Sequence, residues 1–253
     1  MKIFFALLVS IIILSKSFLA FAAETQIIFW YPGEAGSQAE AQPLLDAFAK
    51  LLSTSAPTSL QASYFNDENL GRQYIEKNKP SFGILSYSVW EKWQVSHPES
   101  KILLQTVPSH GQVTEKYLLV GKTAPAGLIT LISSEPLSEQ FISHKLFPQA
   151  QWKISARSSK QLLFKLKELA EGKWNGYCLL TPREAASFQA LKSPWKQQLI
   201  FSQASQPVPS ARLVVLNANT ANLTEWKNTF LQLSKNPQAA EVLDELSLRG
   251  FAE

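Results

Sequence analysis

Cysteine is nearly absent from this chain, with Cys178 alone among 253 residues. A single thiol forms no intramolecular disulfide, so stability must come from packing. Cys178 sits in the apolar run Gly176-Tyr177-Cys178-Leu179-Leu180 and reads as a small buried hydrophobe. Histidine is scarce too. His97, His110 and His144 are dispersed, and offer neither the ligand spacing of a metal site nor an activating base beside a nucleophile. Glycine-rich phosphate loops are missing, and no cofactor is implied. Charged residues make up 17% of the chain and form no basic stripe with interleaved aromatics, which excludes nucleic acid as an expected partner. The formal charge of +4 falls to about +2 if Lys2 and Lys16 leave with a processed N-terminus, too weak for attraction to a membrane surface. With 45% apolar residues the composition is that of a globular protein.

The N-terminus is where apolar residues concentrate. Lys2 supplies a positive start, Ile3 to Leu14 is interrupted only by Ser10, and Ala20-Phe21-Ala22 places small residues at both positions a signal peptidase reads. The run is shorter than the ~20 residues a spanning helix needs. Residues 1–22 are therefore expected to be a cleavable signal peptide, with Ala23 or Glu24 beginning a mature chain of about 231 residues in the periplasm. No cysteine at the junction invites a lipid anchor.

Beyond it, short apolar runs alternate with helical periodicity, which predicts an α/β architecture with mainly parallel sheets. Gln26 to Tyr31, Ser59 to Phe65, Ser81 to Leu85 and Lys101 to Val107 read as strands. Helices fall between them, and Asn66-Asp67 and Ser86-Tyr87 open two of these. From about Glu115 the rhythm restarts, with strands at Lys116 to Val120, Leu128 to Ile132, Gln151 to Ala156 and Gly176 to Leu180. Ser133-Ser134-Glu135-Pro136 reads as a helix start with proline in the first turn, Ser158 or Ser159 as the cap of a helix with face Leu162, Leu163, Leu166 and Leu169. Two lobes are expected, residues 23–112 with 211–253 and residues 113–210. The chain would cross near Ser109 to Glu115 and Gln206 to Ala211, both rich in Gly, Pro or Ser.

Several blocks, in order and spacing, resemble phosphate/phosphonate-type solute-binding proteins of ABC transporters. Tyr64-Phe65-Asn66-Asp67 precedes a helix, and Phe82-Gly83-Ile84-Leu85-Ser86-Tyr87 is similar to that family's "D-V-A-F-L-G-P-L-A-Y" segment. Ser158-Ser159 to Tyr177, and Asn236-Pro237-Gln238 to Phe251, look like two further family stretches. The resemblance implies a two-lobe type II periplasmic binding protein with a ligand cleft between lobes. It also implies a monomeric receptor that hands a small solute to an ABC transporter permease. The departures are specific. Glu135-Pro136 stands in the family's Ser/Thr-rich anion turn, Arg157 where the family often has histidine, and Leu180-Thr181-Pro182 where it has Asp-Ser.

Ligands of such sheets bind beyond the carboxyl ends of strands. That places Tyr31, Tyr64, Ser86 and Tyr87 in the expected site from lobe one, and Ser133, Ser134, Arg157, Ser158, Ser159 and Thr181 from lobe two. Arg157 carries the expectation of an anionic solute, since a guanidinium grips carboxylate or phosphate bidentately. The seven tryptophans fall at core-like spacing, which favours packing over sugar stacking. Asp67-Glu68 and Glu135 read as helix-end carboxylates rather than a catalytic pair, so no enzyme is expected. The weakened anion turn keeps an alternative open, a ligand-sensing or accessory module for a membrane signalling protein.

Overall fold

The computed structural model describes residues 24–253, and the expected signal segment 1–22 lies outside the described residues. The chain folds into two α/β lobes, each a sheet covered on both faces. In the first, β1 (Thr25–Trp30), β2 (Leu60–Phe65) and β3 (Phe82–Leu85) are parallel. Strand β1 is apolar from Ile27 to Trp30 because both its faces are covered. Ile27 and Phe29 pack with Leu45, Phe48 and Leu52 of α1 (Gln38–Ser53). Ile28 and Trp30 point the other way, onto Ile75 of α2 (Glu68–Asn78) and Trp90 and Trp93 of α3 (Tyr87–Ser96). The Trp30 indole lies on the α2 backbone, where Gly71 leaves it room, and donates to the Asp67 carbonyl at 3.2 Å. Asp67 in turn caps α2 by accepting from the Asn69 and Leu70 amides.

Three antiparallel additions complete this sheet: β4 (Lys101–Pro108), β12 (Arg212–Val215) and β13 (Leu248–Ala252), in the order β13-β4-β12-β3-β1-β2. Helices α7 (Leu223–Leu233) and α8 (Ala240–Glu245) return the chain to it, burying Trp226, Phe230 and Leu243 in the α1 face.

The second sheet has the order β10-β6-β9-β7-β8. Its strands β7 (Leu128–Ser133), β8 (Lys153–Ser158) and β9 (Tyr177–Leu180) are parallel, whereas β6 (Leu118–Gly121) and β10 (Ile200–Ala204) run antiparallel at the other side. Leu119, Leu131 and Leu179 face Phe141, Ile142 and Leu146, from the single turn α4 (Glu139–Phe141) and the π turn that follows it. Val120, Cys178 and Leu180 face Leu162, Leu166 and Leu169 of α5 (Leu162–Ala170). Between the sheets, β5 (Thr114–Glu115) and β11 (Val208–Pro209) pair as a two-stranded antiparallel ribbon.

The sheets, expected to be mainly parallel, are mixed, with four parallel and five antiparallel pairings in the two large sheets, and three local expectations change. No helix opens at Ser133–Pro136: the Ser133 hydroxyl donates to the Glu135 carbonyl at 2.6 Å and the Leu137 amide to the same carbonyl at 2.8 Å. This local turn outcompetes the helix, and Ser138 caps α4 instead. Neither Ser158 nor Ser159 caps α5, whose cap position is Gln161; Ser159 only accepts from the Gln161 amide at 3.2 Å. Leu163, expected on the buried face of α5, is 55% exposed.

Candidate functional site

The carboxyl ends of β1, β3, β7 and β9 converge on a cavity of about 1030 Å³ lined from both lobes and from the joining ribbon. Of the expected residues, Tyr31, Ser86, Tyr87, Ser134 and Thr181 line it. The other five do not. Tyr64 packs against the α1 core and donates to the Ala35 carbonyl at 3.4 Å. Ser133 is buried in its own turn. Arg157 and Ser158 are exposed at the end of the edge strand β8, and Ser159 follows them. Arg157, expected to hold an anion, is thus not among the residues that line the cavity.

Sequence reasoning missed the groups that dominate the cavity. Glu135 projects from the Ser133–Leu137 turn of the second lobe onto the N-terminus of α3 in the first. There it accepts from the hydroxyls of Ser86 at 2.9 Å, Tyr117 at 2.8 Å and Ser88. The start of α3 is the natural seat for an anion, and here a carboxylate of the chain itself fills it. Burial raises the Glu135 carboxyl above the usual range while the three hydroxyls oppose the rise. Gly33, with φ of +87°, lies so close to the same turn that a Cβ would stand 2.2 Å from the Ser134 carbonyl oxygen. Only glycine satisfies both the backbone angle and the approach.

A second contact between lobes comes from α6 (Pro182–Ala190), which Thr181 and Glu184 start with a reciprocal capping box. Arg183 in its first turn reaches Glu34 of the first lobe at 2.7 Å and the Leu246 carbonyl at 3.4 Å. Lys92 donates to the Pro136 carbonyl at 2.8 Å, and Lys145 meets Glu91 at 2.7 Å. The lobes are therefore in contact around the cavity.

Burial, opposed by hydrogen bonds from Ser134 and Thr181, raises the Glu184 carboxyl. Glu115, in the ribbon, is pushed up to about 7 from an ordinary 4.5, chiefly by burial. Tyr31 lines the cavity, and its phenol is raised far above the ordinary range by burial. Tyr87 also lines it, with the Arg212 guanidinium 5.9 Å over its ring. Among the described residues no group of His, Cys, Asp and Glu could hold a metal ion.

Two sheets of this strand order, joined by a ribbon and facing each other across a cleft, define the type II periplasmic binding-protein fold. Solved structures agree. The binding-protein component of an ABC phosphonate transporter from Pseudomonas aeruginosa aligns with a TM-score of 0.64 at 15% identity, over 90% of this chain and 81% of that one. PhnD1 from Prochlorococcus marinus in complex with methylphosphonate gives 0.65 at 12% identity, over 91% and 92%. XAC2383 from Xanthomonas citri bound to chloride ion gives 0.67 at 12% identity, over 90% and 91%. No protein-family model and no curated protein matches the chain. At such identities the likeness establishes the fold.

Proposed function

We propose that the protein is a periplasmic solute-binding receptor that closes its lobes on a small molecule and presents it to the permease of an ABC importer. The observation that carries this reading is the cavity itself. It is walled by both lobes and by the ribbon that joins them, so a change in lobe angle changes access to it. Its volume of about 1030 Å³ is just above the ~300–1,000 Å³ typical of small-molecule sites. The receptor acts without transforming its solute. The buried carboxylate that crosses between the lobes, Glu135, is held by three hydroxyls in a structural contact. One structural neighbour is named as the binding-protein component of an ABC phosphonate transporter, which supports the same reading.

Calorimetric titration of the purified protein with a panel of amine, carboxylate, phosphate and phosphonate solutes tests the proposal, with solution scattering before and after saturation. Saturable binding with a smaller radius of gyration is expected. Turnover of any of these solutes, or an unchanged radius at saturation, would contradict it.

A further inference from the structure

The cavity is lined by four glutamates (34, 115, 135 and 184) against Arg183 and Lys160. Three of the carboxylates are already engaged. Glu34 pairs with Arg183 at 2.7 Å. Glu135 accepts three hydroxyls, and Glu184 accepts the Thr181 amide at 2.9 Å. Lys160 stands at the rim, its side chain 70% exposed and 4.0 Å from Asp67. The Glu115 side chain, partly buried in the ribbon between the lobes, lines the cavity and has no hydrogen-bond or ion-pair partner among the described residues. Beside it the Tyr31 phenol also lines the cavity without a hydrogen-bond partner among the described residues.

A half-buried carboxylate left without a counter-charge is costly, and a charge taken out of water is normally paired. A cation entering the cavity would meet that need. An anion would not, because the start of α3 is occupied by Glu135 and Arg183 is neutralised by Glu34. We propose that the cleft takes a small solute carrying an ammonium or guanidinium group, with Glu115 as its counter-ion and the Tyr31 and Tyr117 rings beside it. Aromatic faces favour such cations further. This rests on the receptor reading above.

The surroundings of Glu115 set a pH dependence. Arg183 from α6 lowers its proton affinity, while Glu135 from the turn after β7 and Glu34 from the loop after β1 raise it. Burial outweighs these and leaves the carboxyl at about 7, so a cation must displace its proton at mildly acid pH.

Isothermal titration of the full mature protein with putrescine, agmatine and spermidine, and in parallel with methylphosphonate, inorganic phosphate and propionate, tests this at pH 6 and pH 8. At least one cation should bind saturably, several-fold more tightly at pH 8, and Glu115→Gln should weaken it at least tenfold. A thermal melt of that variant confirms that it is folded, and the pH dependence of the unmutated protein is an independent readout. Binding of an anion alone overturns the inference and leaves the receptor reading standing. So does cation binding that neither Glu115→Gln nor pH alters. No heat with any of the six solutes overturns both.

Discussion

Replacing Glu115 by Gln should stabilise the unliganded protein, and only at neutral and alkaline pH. The folded chain holds the Glu115 proton with a pKa of about 7, against 4.5 for an ordinary carboxyl. Below the lower value both states are protonated and Glu115 makes no difference between them. Between the two values the unfolded chain ionises while the folded chain keeps its proton. Folding then binds a proton, and stability falls as pH rises. Above about 7 both states are ionised and the full cost of the buried charge is present. At 1.36 kcal/mol per unit the shift corresponds to about 3 kcal/mol, and because Glu115 is only partly buried, solvent screening reduces this to about 2 kcal/mol. Glutamine keeps the shape and carries no charge. Urea denaturation of both proteins at pH 4, 6 and 8 reads the difference directly. The gain of the variant should be small at pH 4 and grow to about 2 kcal/mol at pH 8. Parallel stability curves, or a wild type that gains on the variant as pH rises, would refute the reasoning. A residue that destabilises the empty protein in this way fits a binding role better than a structural one.

Gly71→Ala should cost about 1–3 kcal/mol by overpacking, since the new Cβ would lie 2.3 Å from the Trp30 indole nitrogen, and a thermal melt will show it. Arg157→Ala should leave solute binding unchanged and shift stability by no more than about 0.5 kcal/mol, because Arg157 is exposed outside the cavity; calorimetry and a melt check both. Arg183→Ala removes the pair with Glu34 across the cleft; the side chain is 51% exposed, so the stability change should stay below about 1 kcal/mol while solution scattering shows more open lobes. Cys178 is fully buried and its thiol is raised well above the ordinary range, so a thiol reagent should label it only in denaturant.

The architecture was legible because strands buried on both faces read as short apolar runs, as in Ile27 to Trp30 and Tyr177 to Leu180. The placement of β12 between β3 and β4 was not, because pairing between residues a hundred or more apart leaves no local signal. Strand β13 also escaped, since Leu248-Arg249-Gly250-Phe251 is short and carries a glycine that weakens any strand reading. The site was half legible. Of the residues read from strand ends, Tyr31, Ser86, Tyr87, Ser134 and Thr181 line the cavity. Arg157 sits at a strand end as well, but β8 is the edge of its sheet, and only the strand order reveals that. Arg183 was hidden in an ordinary helix start, and Glu115 in a crossing segment read for its flexibility alone. A carboxylate in a hinge is a signal that could have been weighed. Glu135 was assigned to a helix first turn because Pro136 follows it, whereas the Ser133 hydroxyl closes a turn there and frees the side chain to cross the cleft.

A receptor of this kind closes its two lobes over a solute, and the distance between them is the quantity to measure. Cys178 is buried, so spin labels can be placed at Glu76→Cys on α2 and Lys167→Cys on α5, both exposed positions. Pulsed dipolar spectroscopy then reads the separation of the lobes without and with a saturating solute found by titration. A distance that shortens and a distribution that narrows on saturation are predicted. An identical distribution in the two samples would contradict the account.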